Sequence, residues 1–245
     1  MTNSIATENL GVRFGDTLAL SNVEIVVPAG STLAVIGPNG SGKSTLLGAL
    51  AGTIEPTSGS AHIEGPAPAL VLQATDVDKS LPITAKDTVS LARYPSLGLF
   101  SRFSTEDRLV VDTAIERMNI VDLSRRQLHE LSGGQRQRVL VAQGLAQESD
   151  VLLLDEPVTG LDMISRSVIL EVVDEEAAAG RTVVMTTHSL DDAQRCDQVL
   201  LLDTSPIAFG PPETTLTEKH LRRAFGGHFI RLGDELILDD PHHSH

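Results

Sequence analysis

The chain predicts an α/β fold in which a parallel β-sheet is interrupted by a mostly helical segment. Three observations lead there. A short apolar strand, Leu33 to Ile36, runs into a glycine-rich loop and then into a helix carrying Leu46, Leu47 and Leu50. Strand-like apolar runs recur at Val151–Leu154, Thr182–Thr186 and Val199–Leu202, and a helical stretch separates the first two, which is the alternation a parallel sheet requires. Between these regions, residues 74–147 carry helix-start signals in place of strand runs.

Taken in order, Leu10 to Phe14 and Val23 to Val27 read as strands around a turn at Gly15-Asp16. After the glycine-rich loop and its helix, Glu55-Pro56-Thr57-Ser58-Gly59 is a turn that leads into a strand at Ala61-His62-Ile63. Thr84-x-x-Asp87 and Ser104-x-x-Asp107 resemble capping boxes, with Asp in place of the preferred Glu. Beyond Ser104, the spacing of Leu109, Val111, Ile115 and Met118 suits an amphipathic helix. Another helix is expected just after Ser132, and a long acidic one from Ile164 to Ala179, stopped by Gly180. Within the Ser132 helix, Gly144 should cost about 1 kcal/mol relative to alanine.

Bulk properties narrow the function. The 245 residues are 41% hydrophobic, enough for a buried core in one large domain or two small ones. No apolar stretch approaches the ~18 residues of a membrane-spanning helix, and the first residues show neither a secretory signal nor a lipidation site. The single cysteine, Cys196, excludes an intramolecular disulfide and fits a reducing cytosol. With 19 basic against 33 acidic residues, the net charge of −14 offers no electrostatic footprint for nucleic acid or for an anionic bilayer. A protein of this charge that works at a membrane needs another polypeptide to hold it there.

The chemistry concentrates in three motifs. Gly37-Pro38-Asn39-Gly40-Ser41-Gly42-Lys43-Ser44 is a complete G-x-x-x-x-G-K-[ST] phosphate loop, continued by Thr45. Its glycines let successive amide N–H groups face phosphate oxygens, and the following helix adds its positive end. Lys43 is expected at the β- and γ-phosphates and the Ser44 hydroxyl at Mg²⁺. The run Val151 to Leu154 then delivers Asp155 and Glu156 to a strand end, where ligands sit in α/β sheets. Asp155 suits Mg²⁺ and Glu156 suits the general base that polarises water. In Leu131-Ser132-Gly133-Gly134-Gln135, Ser132 is a helix N-cap and the two glycines leave the first amides open, which makes an anion site.

The order and spacing of these motifs resemble the ATP-binding subunit of an ABC (ATP-binding cassette) transporter over about residues 5 to 227. The resemblance implies a P-loop NTPase, RecA-like core with an N-terminal antiparallel β subdomain, built from residues 1–73 and 148–245, and an inserted helical subdomain at 74–147. It implies that Gln73 contacts Mg²⁺ and the attacking water, that His188 lies near the γ-phosphate, and that Phe14 stacks on adenine. It further implies that Ser132, Gly133, Gly134 and Gln135 complete the ATP site of an opposite subunit, with Gly160-Leu161-Asp162 crossing the same interface. Two ATP molecules would then hold a homodimer together. One departure is Gln143-Gly144-Leu145, where the family commonly reads Arg-Ala-Leu.

Finer features point to cargo. Leu81-Pro82-Ile83, Phe209-Gly210-Pro211 and the stretch from Leu216 to Gly227 look like the zinc and manganese uptake subfamily. That likeness implies integral membrane permease subunits as partners, an extracytoplasmic metal-binding protein acting indirectly, and a peripheral place on the cytoplasmic face of the membrane. Other cargoes, such as an iron chelate, remain open alternatives, as does a soluble ABC ATPase of DNA repair or translation. The latter usually carries a coiled-coil insertion or tandem cassettes, and neither is present in this sequence. The tail Pro241-His242-His243-Ser244-His245, with His228 upstream, reads as a solvated tail, so the only metal expected is Mg²⁺.

Overall fold

A computed structural model describes residues 3–74, 82–96 and 102–226, with the backbone of two further strands at 229–232 and 235–238. The expectations that fall on Leu81, Gly227, His228 and the histidine tail lie outside the described residues.

Strands β1 (Asn3–Phe14) and β2 (Thr17–Pro28) pair antiparallel around the Gly15-Asp16 turn. Both are longer than their alternation suggests, because β1 changes phase midway. Ile5 and Thr7 face the core before Asn9, Leu10 and Val12 after it; Asn9 has φ +46° and sits where both pairings of β1 shift register. A bulge inserts one residue and swaps the faces, so a strict period of two cannot run through it. Strand β3 (Thr32–Ile36) and helix α1 (Lys43–Leu50) follow, and β4 (Ser58–Ile63) returns to pair with the other edge of β1.

The helical segment begins after β5 (Ala69–Val71) with α2 (Ala85–Ser90), a 3₁₀ stretch at Leu91–Ser96, α3 (Thr105–Arg117) and α4 (Gly133–Leu145). Both capping boxes form as the sequence predicts, with Thr84 on Asp87 and Ser104 on Asp107. Asp107 also accepts from Arg93 Nε at 3.0 Å. The Ser104 hydroxyl and amide, with Arg93, hold the Asp107 carboxyl down at about 2. Then come β6 (Val151–Leu154), α5 (Met163–Ala178), β7 (Thr182–Thr187), α6 (Leu190–Gln194) and β8 (Gln198–Asp203). The chain continues through β9 (Ser205–Gly210), α7 (Pro212–Thr215), α8 (Glu218–Phe225) and the hairpin β10 (Phe229–Leu232) and β11 (Glu235–Leu238). Pro206 and Gly210, residues typical of turns, mask strand β9 in the sequence. It is an antiparallel edge strand on β8, the place where proline is tolerated.

The main sheet has six strands in the order β5-β6-β7-β3-β8-β9, parallel except for β9. Its alternating residues feed two separate cores. Leu33, Val35, Val151, Leu153, Val184, Leu200 and Leu202 pack with β1, β2 and α1. Ala34, Ile36, Leu152, Leu154, Val183, Met185, Val199 and Leu201 pack with the helical segment, α5 and α6. Burial on both faces explains why these strands read as unbroken apolar runs. Arg117 of α3 donates to Glu175 at 2.8 Å and to Glu176 at 2.5 Å, joining the helical segment to α5, and Arg181 also binds the buried Glu176. Among the described residues, no helix is long and apolar enough to cross a membrane.

Candidate active site

The strand order lines up the motifs. Gln73 follows β5, Asp155 and Glu156 follow β6, His188 follows β7 and the phosphate loop follows β3, and these four strands are consecutive neighbours in the sheet. All four are parallel, so their C-terminal ends share one edge of the sheet, the ligand-binding edge of such folds.

The phosphate loop spans Gly37 to Gly42 and enters α1 at Lys43, with Ser44 and Thr45 in the first turn. Gly42, the N-cap, has φ +97°, and a Cβ there would stand 2.5 Å from Ala19 O of β2. No side chain fits that approach. The loop is tied down by main chain: Thr204 N donates to Ser41 O at 2.9 Å, and Ser21 N donates to Thr204 O at 2.8 Å. Lys43 Nζ is buried over the loop, donating to Gly37 O at 2.8 Å and Pro38 O at 3.1 Å. Ser41 Oγ is buried without a protein hydrogen-bond partner. A cradle of open backbone, a buried cation and an unsatisfied hydroxyl fit a bound polyphosphate.

Beside it, the two carboxylates diverge. Strand β6 ends at Leu154, and Glu156 turns into the left-handed region at φ +46°. Two consecutive acids therefore aim differently, as a strand end followed by a turn permits. Thr186 Oγ1, fully buried on β7, donates to Asp155 Oδ1 at 2.7 Å and accepts from Glu156 N at 2.7 Å. Glu156 Oε1 lies 2.5 Å from His188 Nε2. That hydrogen bond holds the Glu156 carboxyl below its usual range; burial opposes it, and the charges of His188 and Lys43 add to it. Glu156 is thus ionised at neutral pH and able to accept a proton from water. The Ser44 hydroxyl, Gln73 amide oxygen and Asp155 carboxylate are all hard oxygen donors, a set suited to Mg²⁺.

Gln73 is exposed and lines a cleft of about 540 Å³ together with Asp155, Leu72, Arg136 and Gln143. Phe14, at the end of β1, is 53% exposed, unusual for a phenylalanine in a paired strand. Ser132 caps α4 through a capping box with Gln135, and Ser132 and Gly133 are exposed. Gly134 instead packs close to Asp162, where a Cβ would stand 2.6 Å from the Asp162 carboxylate. The signature segment and the start of α5 therefore form one surface, and Asp162 itself caps α5 by accepting from Ser165 N at 2.9 Å.

Several residues of the site escaped the sequence reading. Thr186 and Thr187 lie in an apolar run, and a buried hydroxyl there needs a partner, a signal that could have been used. Asp192, buried on α6, accepts from Arg166 of α5 at 2.5 Å and from Thr187. Gln137, buried on α4, accepts from Ala74 N at 2.7 Å. These pairs span up to 63 positions, a separation no local pattern reveals.

Comparison with known proteins agrees with this geometry. The family described as "ABC transporter" matches residues 20–159. The manganese transport system ATP-binding protein MntA of Synechocystis is 36% identical over 91% of this chain and 90% of its own. The chelated iron transport system membrane protein YfeB of Yersinia pestis is 34% identical over 96% of this chain and 84% of its own. An inward-facing structure of a metal-chelate type ABC transporter superposes with a TM-score of 0.84 at 28% identity, covering 96% of each chain. A match over more than half the chain and relatives that align over most of their length place the sequence without ambiguity: it belongs to the ABC transporter family, as an ATP-binding, ATP-hydrolysing subunit.

Proposed function

We propose that this chain energises an importer for divalent metal ions, manganese or zinc, by hydrolysing ATP in a homodimer held on integral membrane permease subunits at the cytoplasmic face of the membrane. The observation that carries the hydrolytic part is the row of Gln73, Asp155 with Glu156, His188 and the phosphate loop on four adjacent strands.

In this reading Lys43 and the loop amides hold the β- and γ-phosphates, and Phe14 offers a π-face to adenine. Ser44, Asp155 and Gln73 hold Mg²⁺, which when bound neutralises charge on the phosphate oxygens. Glu156 accepts the proton of the attacking water, and His188 orients that carboxylate and faces the γ-phosphate. The helix start at Ser132 to Gln135, exposed at Ser132 and Gly133, binds the γ-phosphate of the partner's ATP, with Gly160 to Asp162 beside it. Residues 74–147 act as a helical subdomain that grips permease loops, while an extracytoplasmic binding protein delivers the ion.

The cargo rests on the relatives named for manganese transport. One relative named for chelated iron supports iron as the second reading. Measuring manganese, zinc and iron together in cells with and without this subunit separates them. A fall in manganese or zinc supports the first reading, and a fall in iron alone moves the cargo to iron. Unchanged levels of all three remove the metal assignment.

A further inference from the structure

Helix α4 carries the signature segment at its N-terminus, and it is fastened directly to the strand end that bears Gln73. Two side-chain positions on one face make the attachment. Gln137 accepts from Ala74 N at 2.7 Å through Oε1, and its Nε2 lies 3.5 Å from Leu72 O, at the outer limit of a hydrogen bond. The amide orientation is settled by chemistry, because the Ala74 N–H can only donate. Seven residues on, two turns along the same face, Gly144 lies against Val71, where a Cβ would approach Val71 Cγ2 to 2.4 Å. Residues 71, 72 and 74 are thus all held by α4, and the one residue left without such a tie in that stretch, Gln73, projects into the cleft with Asp155.

Gln137 is only 2% exposed, and a buried side-chain amide has to be satisfied. Here it is satisfied by the main chain on either side of Gln73. We propose that Gln137 is a positioning residue that brackets Gln73 and makes its amide follow every displacement of the signature helix. Docking of Ser132 against a partner's ATP would then be relayed through one rigid helix, in which Gln137 lies five positions after Ser132, to the metal and water position. This rests on the reading of Gln73 as a site residue given above.

The test is a double-mutant cycle on the full chain, with ATP hydrolysis measured for wild type, Gln73→Ala, Gln137→Met and the double variant. Methionine keeps the length and burial of Gln137 but replaces the amide with a thioether that has no donor and is only a weak acceptor. The expected result is a kcat lower by about tenfold in Gln137→Met with the KM for ATP within about twofold, and no further loss in the Gln73→Ala background. Additive losses, or full activity in Gln137→Met, overturn the positioning role while leaving Gln73 in the site. Full activity in Gln73→Ala removes Gln73 itself and the bracket's function with it. Should Gln137→Met not fold, amide exchange of Ala74 in the unmodified protein decides: protection of about tenfold or more over an unstructured amide supports the bracket, and exchange at the unstructured rate overturns it.

Discussion

One hydroxyl, that of Thr186, serves both acids of the site: it donates to the Asp155 carboxylate and accepts from the Glu156 amide. Replacing it with valine keeps the shape and strands two buried polar groups, each costing about 1–3 kcal/mol. Thr186→Val is therefore expected to lower kcat by about tenfold or more, with Thr186→Ser restoring most of it. Steady-state kinetics beside thermal unfolding check this, and full activity in the valine variant would show the hydroxyl to be dispensable. Glu156 itself gives a sharper outcome. Its carboxyl is held low by the hydrogen bond to His188, so it stays ionised through neutral pH. Glu156→Gln should reduce turnover by about 10²–10⁴-fold while ATP still binds. Nucleotide binding by fluorescence and phosphate release measured side by side test the pair, and unchanged hydrolysis would reassign the base. The positive φ of Glu156 belongs to the same design, since the Thr186 bond to its amide holds the turn that aims it at His188.

At the scale of elements, Gly144 reverses an expectation. Helix propensity alone makes alanine better there by about 1 kcal/mol. The structure puts Val71 and Leu152 of the sheet where the new methyl group would go, the nearer only 2.4 Å away. Val71 is buried and β-branched, so it cannot swing aside. Gly144→Ala should therefore destabilise the fold by about 1–3 kcal/mol, read as a lower denaturant midpoint; a higher midpoint would show that the sheet yields. Which elements the sequence disclosed follows the same logic. Caps at Thr84, Ser104 and Ser132, the apolar strands and the stop at Gly180 are local signals, and each stands where expected. The full length of β1 was hidden by the bulge at Asn9, and β9 by Pro206, because both break the local pattern they were judged by. In the site, the phosphate loop, Asp155 and Glu156 announce themselves by contiguity. Thr186, Gln137 and Asp192 act between elements distant in sequence and are invisible until those elements are packed.

For the whole molecule, the sheet order matters most, because it converts motifs scattered from Gly37 to His188 into neighbours. The signature segment leaves Ser132 and Gly133 exposed beside the start of α5. Ser132→Arg should therefore abolish ATP-dependent dimerisation while the isolated subunit binds ATP as before. Size-exclusion chromatography with and without ATP reads the result, and dimers surviving the change would refute the role in the partner's site. The phosphate loop carries a last consequence. Its form is secured by main-chain bonds from Ser41 to Thr204 and on to Ser21, which lie in separate elements of the fold. A receptor already shaped this way spends little ordering entropy when the nucleotide arrives, so more of the contact energy survives as affinity. Speed of capture should then be set by diffusion and charge, with little waiting for a loop to fold around its ligand.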